Sequence, residues 1–588
     1  MTRTFAHEDS LPRSPLPALE DSGARFLQWC APLLSSSQLA ETSASVTEFL
    51  DGPGRTLHAA LEKYDASEGV HSWLDTFWPY RYLGRRDRIA LNANFFFLFR
   101  DAPLNQVERA TALIAGALAF KHLVDVEQLP PAVVRGAPQT MEQNKYLFST
   151  TRIPGEVQDT VRGPYGKGWE GPSAARHIVV LHRGTMYRLE VVGHTLEEIS
   201  AGLRAVLESG FVTDHPVGHL TTKARAEWAA DRRQLDPALL EEIESALFCV
   251  CLEDVVPASD LEAADHLLHG DSGNRWFDKA VSFVVFADGR AGINVEHCEL
   301  DGTTILGFTD FVLGFEPASH EAASSGVPVP RRLDFALDDA LRASVQEAAQ
   351  SFADYAAATA TNVVTFRHLG ADHAKRLKIS PDAFMQLAYQ LAHRRAKGIT
   401  GATYESIATR QYRRGRTEAM RVVTPEAVAF VNAMEASAPP AQADAASVAA
   451  RARALREAAG AHVRRAKECQ VGEAPEQHLW ELQLIQRRRG AELGVDDEPS
   501  LFSSPGWLIM RDDYLSTSSA PSTSIDYFGF GSTSSQCIGV GYVLLPDRVA
   551  IHLSTPRAVE DGMNAFAEQL GVALRELTEL LEAELLEA

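Results

Sequence analysis

Long hydrophobic runs are missing from this chain. Nowhere do about 18 apolar residues follow one another, so no membrane-spanning helix is expected. Positive charge is in deficit: Asp and Glu number 78 against 56 Lys and Arg, a formal net charge of −22. A chain with that balance lacks the basic footprint that nucleic acid or an anionic membrane surface demands. Cysteine is sparse and unpatterned. Its six positions are Cys30, Cys249, Cys251, Cys298, Cys469 and Cys537. None shows paired metal spacing, and Cys249-Val250-Cys251 lies in an apolar run that reads as two buried thiols. A disulfide framework is therefore not expected, and a reducing, cytoplasmic location is. Residues 1–10 have no positive region followed by an apolar core, so no signal peptide is expected. The final Leu-Leu-Glu-Ala is not a peroxisomal address. No H-E-x-x-H occurs and no metal is expected. There is no G-x-S-x-G elbow in a hydrolase setting. Gly529-Phe530-Gly531 lacks the third glycine and the strand–loop–helix context of a dinucleotide fingerprint.

At 588 residues the chain is too long for one core, and two large domains are expected. Hydrophobic content of 45% and charged content of 23% are ordinary for a globular protein. Residues 1–85 read as helices with proline punctuation, entered by an extended segment at 11–17. The aromatic-rich stretch 73–82 is expected to pack. Residues 86–340 mix helices and hairpins. Residues 177–192 read as two strands around Arg183-Gly184, and 280–286 and 291–295 flank Asp288-Gly289, a strong hairpin signal. Residues 341–470 read as mostly helical. Ser380-Pro381-Asp382 has the cap, first-turn proline and acid of a helix start. Phe384, Leu387, Ala388 and Leu391 follow at helical spacing, and Gly398 stops the helix. Residues 437–445 read as a surface loop and 515–553 as strands. Met563, Phe566, Leu570, Leu574, Leu577 and Leu581 form an apolar stripe, expected on a helix packed against its own domain. The expected division is 1–85 plus 341–588 against 86–340, each part an α/β layer arrangement, with a cleft as the default site.

The chemistry centres on Asn294-Val295-Glu296-His297-Cys298-Glu299-Leu300-Asp301-Gly302. The second strand of the 280–295 hairpin delivers His297 at its end, and rigid elements commonly aim catalytic side chains from such positions. Histidine has an unperturbed pKa near neutrality, which suits it to take a proton from an alcohol. Asp301, four residues on, is placed to fix the bend that presents the imidazole.

Several further segments occur in a fixed order: 11–17 (Leu-Pro-Arg-Ser-Pro-Leu-Pro), 148–155 (Phe-Ser-Thr-Thr-Arg-Ile-Pro-Gly) and 273–279 (Gly-Asn-Arg-Trp-Phe-Asp-Lys). They continue with Glu296-His297, 380–384 (Ser-Pro-Asp-Ala-Phe), 403–406 (Thr-Tyr-Glu-Ser), 415–418 (Gly-Arg-Thr-Glu) and Ser516-Thr517-Ser518. Together, over roughly residues 11–580, the set resembles the carnitine/choline acyltransferase family. That resemblance implies two chloramphenicol-acetyltransferase-like α/β domains with an active-site tunnel at their interface. It implies transfer of an acyl group from an acyl-CoA, a co-substrate rather than a bound cofactor, to a small alcohol.

By the same resemblance His297 is the base and Ser518 the donor to the developing oxyanion. Glu296, Asp301 and Arg416 support the site, with Asp301 paired to Arg416. Lys375, Lys378 and Asp382 face the CoA, and Tyr404, Thr417, Gln477, Ser516 and Phe528 surround the acceptor. Asp526 falls in the acyl pocket. The chain departs from the family pattern in three places. Where G-K-x-x-x-K is usual it reads Gly370-Ala371-Asp372-His373-Ala374-Lys375, so one phosphate lysine is missing. Arg376 or Lys378 compensates, or the donor is a thioester on an acyl carrier protein. Gln477 stands where carnitine enzymes set an arginine against the carboxylate, which favours a neutral or cationic alcohol, while Thr417 is of the carnitine type. Asp526, an acid beside an alkyl tail, would be costly unless hydrogen-bonded; it implies a polar acyl group or a different local alignment. A catalytically inactive binding relative is the remaining alternative, opposed by the joint presence of His297, Ser518 and Asp301.

Overall fold

A computed structural model describes residues 3–166, 168, 170–316, 325–436 and 444–587. Two compact units emerge. The first comprises Met1–Asp9, Trp78–Val363 and Ser522–Gly531; the second comprises Ser10–Phe77, Val364–Pro521 and Ser532–Ala588.

The first unit is built on a mixed eight-stranded sheet. Its order is Arg331–Arg332, Thr185–Glu190, His177–His182, Cys249–Leu252, Val281–Val285, Ala291–Val295, Phe95–Phe99 and Ile525–Phe530. Neighbours are antiparallel except along His177–His182, Cys249–Leu252 and Val281–Val285, which run parallel. The five strands from His177–His182 to Phe95–Phe99 in this order are buried along their whole length. Sheets covered on both faces use continuous apolar runs, and Phe95-Phe96-Phe97-Leu98-Phe99 is one. The hairpin at Asp288-Gly289 forms as the sequence predicts. Gly289 has φ +89°, and a Cβ there would lie 1.9 Å from the Leu104 carbonyl oxygen, so only glycine fits the turn.

The second unit holds a six-stranded sheet. Its order is Thr359–Arg367, in which the division between units falls, then Arg548–Pro556, Ile538–Leu544, Leu515–Ser519, Thr403–Ala408 and Thr417–Arg421. Leu515–Ser519 is parallel to both of its neighbours. Helix Pro381–Lys397 starts and stops as read from the sequence: the Ser380 side chain accepts from the Ala383 amide, and Gly398 takes a left-handed conformation. The C-terminal stripe lies on helix Glu560–Glu587, and all six of its apolar residues are buried. That helix packs on Pro381–Lys397 and on Ala445–Gln470, within its own unit.

The boundaries differ from the expected ones in an instructive way. Residues 522–531 were expected with the C-terminal part, but Ile525–Phe530 pairs antiparallel with Phe95–Phe99 and completes the first unit's sheet. An apolar edge strand finds backbone partners there, and the core strand beside it gains a covered edge. The first nine residues follow the same logic, since the Glu8 carboxylate accepts from the Thr140 hydroxyl and the Met141 amide. Residues 341–470 are less uniformly helical than their composition implies; they contain the strands Thr359–Arg367, Thr403–Ala408 and Thr417–Arg421. Of the loop read at 437–445, residues 437–443 lie outside the described residues, and Ala445 begins a helix. No helix among the described residues is long and apolar enough to cross a membrane. All six cysteines are buried, and none is in a disulfide.

Candidate active site

His297 lies two residues beyond the end of Ala291–Val295, and helix Gly302–Gly314 begins five residues after it. The loop between them is pinned by hydrogen bonds. His297 Nδ1 lies 2.7 Å from the Leu300 carbonyl oxygen. A carbonyl only accepts, so the proton sits on Nδ1 and the lone pair of the neutral ring is left on Nε2. The imidazole is 30% exposed, with Asp301 Oδ1 3.6 Å from Nδ1. Its faces and edges are bounded by the rings of Tyr82 at 5.1 Å and Phe95 at 5.0 Å.

Asp301 is buried, and it engages a residue the sequence did not single out. Gln143 donates from Nε2 to Asp301 Oδ2 at 2.6 Å, while its Oε1 accepts from the Asp301 amide at 2.9 Å and from the Thr304 hydroxyl at 2.8 Å. Gln143 thus clasps both the acid and the first turn of the following helix. Arg416, expected as the partner of Asp301, is buried in the second unit, where its carbonyl accepts from the Thr409 amide at 3.0 Å.

Glu296 anchors the other side of the turn. One carboxylate oxygen accepts from the Cys298 amide at 3.1 Å and the other from Arg152 at 3.1 Å. Arg152, 1% exposed, also donates to Asp159 at 2.6 Å and to the Tyr82 carbonyl at 2.8 Å. Asp159 accepts in addition from Arg86 at 2.8 Å and Arg225 at 2.6 Å, and Arg225 reaches Asp278 at 2.7 Å. Burial disfavours each charge, but the facing carboxylates raise Arg152 and the facing guanidiniums lower Asp159, so both stay ionised. Asp278, at the far end, is pushed up to about 6 by burial against the pull of Arg225. Lys279 donates to the Thr151 hydroxyl and to the Ile243 and Glu244 carbonyls. The motifs at 148–155 and 273–279 therefore build the buried bed beneath the histidine turn.

Phe528 also belongs to this unit. It is buried against Phe97 at 5.5 Å, Phe530 at 5.6 Å and Phe95 at 6.1 Å, and Phe95 in turn touches His297. Asp526 does not behave as an acid buried against an alkyl tail. It sits at the register shift between Leu98 and Phe99, 36% exposed, 3.8 Å from Arg100. The irregular register turns it to solvent, which removes the desolvation problem its sequence position raised.

In the second unit Ser516, Thr517 and Ser518 occupy the central strand Leu515–Ser519. Alternation puts Ser516 and Ser518 on one face and Thr517 on the other. Across the sheet Ser516 pairs with Gly539 and Ser518 with Gly541, so no neighbouring side chain on that strand crowds the serine face. On the opposite face Thr517 donates to the Tyr404 carbonyl at 2.9 Å and accepts from Gln386 at 2.9 Å. The sequence missed the rest of this layer. Tyr542 lies 2.6 Å from both Asp382 Oδ1 and Glu405 Oε1, and His462 Nε2 lies 2.9 Å from Asp382 Oδ2. A single phenolic proton cannot serve two carboxylates, so one acid must carry a proton. Burial and the neighbouring Asp382 charge push Glu405 up to about 8. Burial opposes the charge on Asp382 and on His462, but their mutual hydrogen bond wins, lowering the acid and raising the imidazole. The arrangement is protonated Glu405, Tyr542 donating to Asp382, and His462 donating to Asp382.

Asp382, Glu405 and His462 also place one ligand atom each within 4.8 Å of one another, a grouping that could hold a metal ion. The Tyr542 hydroxyl and the shared proton already account for its geometry. Asp382 is thus engaged inward, while Lys375, 64% exposed, pairs with Asp372 at 3.0 Å. Lys378 is exposed, and its carbonyl accepts from Arg456 at 2.7 Å.

Of the residues expected around the acceptor, Tyr404 pairs directly with Ser516 and lies under the Arg421 guanidinium at 5.6 Å. Gln477 donates from Nε2 to the Thr417 carbonyl at 2.9 Å. Its neighbour Glu476 clamps Arg421, which Asp513 holds as well.

Comparison with known proteins gives a consistent result. A family profile described as Choline/Carnitine o-acyltransferase matches residues 14–571. "Carnitine O-palmitoyltransferase 2, mitochondrial" of Mus musculus is 31% identical over 605 residues, covering 94% of this chain and 89% of the relative. The Homo sapiens protein of the same name is 30% identical over 635 residues, covering 98% and 93%. "Carnitine O-acetyltransferase" of Homo sapiens is 30% identical over 613 residues, covering 99% and 95%.

Proposed function

The chain belongs to the choline/carnitine O-acyltransferase family, and from that membership we propose that it transfers an acyl group from acyl-CoA to the hydroxyl of a small cationic alcohol, with His297 as general base. The observation that carries the reading is the hydrogen bond from His297 Nδ1 to the Leu300 carbonyl, because it fixes the proton on Nδ1 and puts the lone pair of the neutral ring on Nε2.

The chemistry follows from what an alcohol and a thioester need. A hydroxyl is a weak nucleophile until its proton leaves. Nε2 of His297 takes that proton as the oxygen attacks the thioester carbonyl. Negative charge gathers on the carbonyl oxygen, and the Ser518 hydroxyl donates to it. The carbon–sulfur bond then breaks, and protonated His297 returns its proton to the thiolate. The products are an ester and free CoA, and no acyl-enzyme forms. Asp301, Glu296 and Arg416 act by holding the imidazole and its turn, with Gln143 and Arg152 behind them. Lys375 and Lys378 are assigned to the donor's phosphates. Asp382, given its inward hydrogen bonds, shapes the donor side through Tyr542 and His462. Gln477 brings no positive charge to the acceptor, which favours an alcohol without a carboxylate over carnitine.

The test is thiol release from acyl-CoA in the presence of a panel of alcohols. Replacing His297 by Ala, with folding verified by circular dichroism and thermal melting, is expected to lower turnover by about 10²–10⁴-fold. Undiminished turnover in a folded His297→Ala protein overturns the assignment.

A further inference from the structure

A buried cation in the second unit has donors to spare. Arg465, on helix Ala445–Gln470, is 5% exposed. Its Nη1 donates to the Arg421 and Val423 carbonyls at 2.7 and 2.8 Å. Among the described residues Nε and Nη2 have no acceptor, and no carboxylate pairs with the guanidinium. Burial pulls its pKa down to about 10, which still leaves it charged at neutral pH. Trp29 packs against it, the ring centre 4.8 Å from Cζ. Trp29 is 1% exposed, and its indole N–H has no acceptor among the described residues either.

These donors are not sealed in. Arg465 and Trp29 line a cavity of about 100 Å³ between helix Leu19–Cys30, helix Ala445–Gln470 and the first turn of helix Pro425–Glu435. That is several times the space one water needs. At the helix start Pro425 has no N–H and Thr424 takes that of Ala427, which leaves the Glu426 amide at the positive end of the helix. Two acids line the cavity as well. Glu426 lies 3.4 Å from Arg464, so that pair is matched. Glu468 has no cationic partner among the described residues.

We infer that this cavity binds a small free oxyanion that still carries a proton, of the inorganic phosphate kind, accepting from Arg465 and Trp29 and donating to Glu468. Nε and Nη2 share one edge of the guanidinium, the fork that grips two oxygens of one anion. Buried donors are nearly always satisfied, and a matching anion satisfies these. Sulfate has the shape but no proton at neutral pH, and it would set bare oxygens against Glu468. A metal cation would face Arg465. None of the residues assigned to acyl transfer lines this cavity, so the inference stands or falls apart from that reading.

The test is calorimetric titration of the full chain with inorganic phosphate. Two variants accompany it, each checked for folding by circular dichroism. Arg465→Met removes the fork. Ala461→Met puts a side chain into the cavity and leaves Arg465 with its two carbonyls. Lys375 and Lys378 are assigned to the donor's phosphates, so binding is scored as the difference between wild type and variants. The wild type is expected to bind one phosphate that each variant holds about tenfold or more weakly, because hydrogen bonds to a charged group are lost. Its melting temperature is expected to rise with phosphate more than theirs. Sulfate, and phenyl phosphate, whose ring exceeds the cavity, are expected to show no such difference. Arsenate, a protonated oxyanion with a strong anomalous signal, is expected beside Arg465 in crystals of the wild type. Phosphate binding unchanged in both folded variants overturns the inference. So does sulfate or phenyl phosphate binding as tightly as phosphate in an Arg465-dependent way. If neither variant folds, the crystals decide, and arsenate elsewhere but not in this cavity overturns the site.

Discussion

The two candidate catalytic side chains rest on different kinds of support. His297 in the first unit lies over a bed of ion pairs, in which Arg152, Arg86 and Arg225 face Glu296, Asp159 and Asp278. Ser518 in the second unit shares its strand with Thr517, behind which lies a layer of shared protons: Gln386, Tyr542, Glu405, Asp382 and His462. The difference matches what the role proposed for each residue requires. A general base has to keep one ring orientation while its own charge changes, and the Arg152–Asp159 pair stays ionised beneath it. An oxyanion donor needs only a rigid strand, which a hydrogen-bonded layer supplies. The first support should therefore fail by loss of a partner, and the second by loss of a proton.

The largest effect expected from that contrast is at Arg152. Its replacement by Ala leaves Glu296 and Asp159 as buried carboxylates short of a partner, and breaking a buried pair from one side typically costs about 3–5 kcal/mol. Chemical denaturation should show a loss of that size. A change below about 1 kcal/mol would mean that the charges beneath His297 are solvated and that the contrast is wrong. Next is Ser518→Ala. Removal of an oxyanion donor lowers kcat by about 10²–10³-fold, some 2.7–4 kcal/mol of transition-state stabilisation. The melting temperature should stay where it was, because the layer behind the strand is reached through Thr517, not Ser518. A folded Ser518→Ala protein with normal kcat would remove Ser518 from the chemistry and leave the strand as plain structure.

How much of this was legible in the sequence divides along the same line. Local signals read well. The Asp288-Gly289 hairpin, the Ser380 cap, the Gly398 stop and the terminal stripe depend on residues within one or two turns of each other, where turn chemistry and helical spacing act. The histidine and the serine segment were singled out because the motifs that carry them are short and ordered. What stayed hidden was set by distant pairing. Gln143 meets Asp301 across 158 positions, and Tyr542 meets Asp382 across 160. No periodicity connects such residues. The setting of Asp526 was hidden for a related reason: it sits at a register shift next to Leu98, partly exposed, and a bulge leaves no mark in the residue pattern. The 522–531 segment likewise looks like its sequence neighbours until the strand it pairs with is known.

The smallest expected effect sharpens the contrast most directly. Glu405 ionises near 4.5 as a free side chain and near 8 in the fold, where burial and the Asp382 charge hold its proton. Below about 4.5 both folded and unfolded chains carry that proton, and the stability associated with it is fully present. As the pH rises toward 8 the unfolded chain has released its proton while the folded one still binds it, so stability falls through this window and levels off above it. One proton limits the slope to about 1.4 kcal/mol per pH unit, and coupling to Asp382 and His462 spreads it further. Glu405→Gln has no proton to release and retains groups that can hydrogen-bond to Tyr542. Its unfolding free energy should change less between pH 5 and pH 8, both values being about 4.5 and about 8 rounded into a practical range. At the upper end of that range the variant should be the more stable of the two proteins. Urea titrations of both across the window provide the measurement. If the two curves keep the same pH dependence, Glu405 is ionised in the folded state, Tyr542 faces two charged carboxylates, and the proton-sharing account of the serine strand's support does not hold.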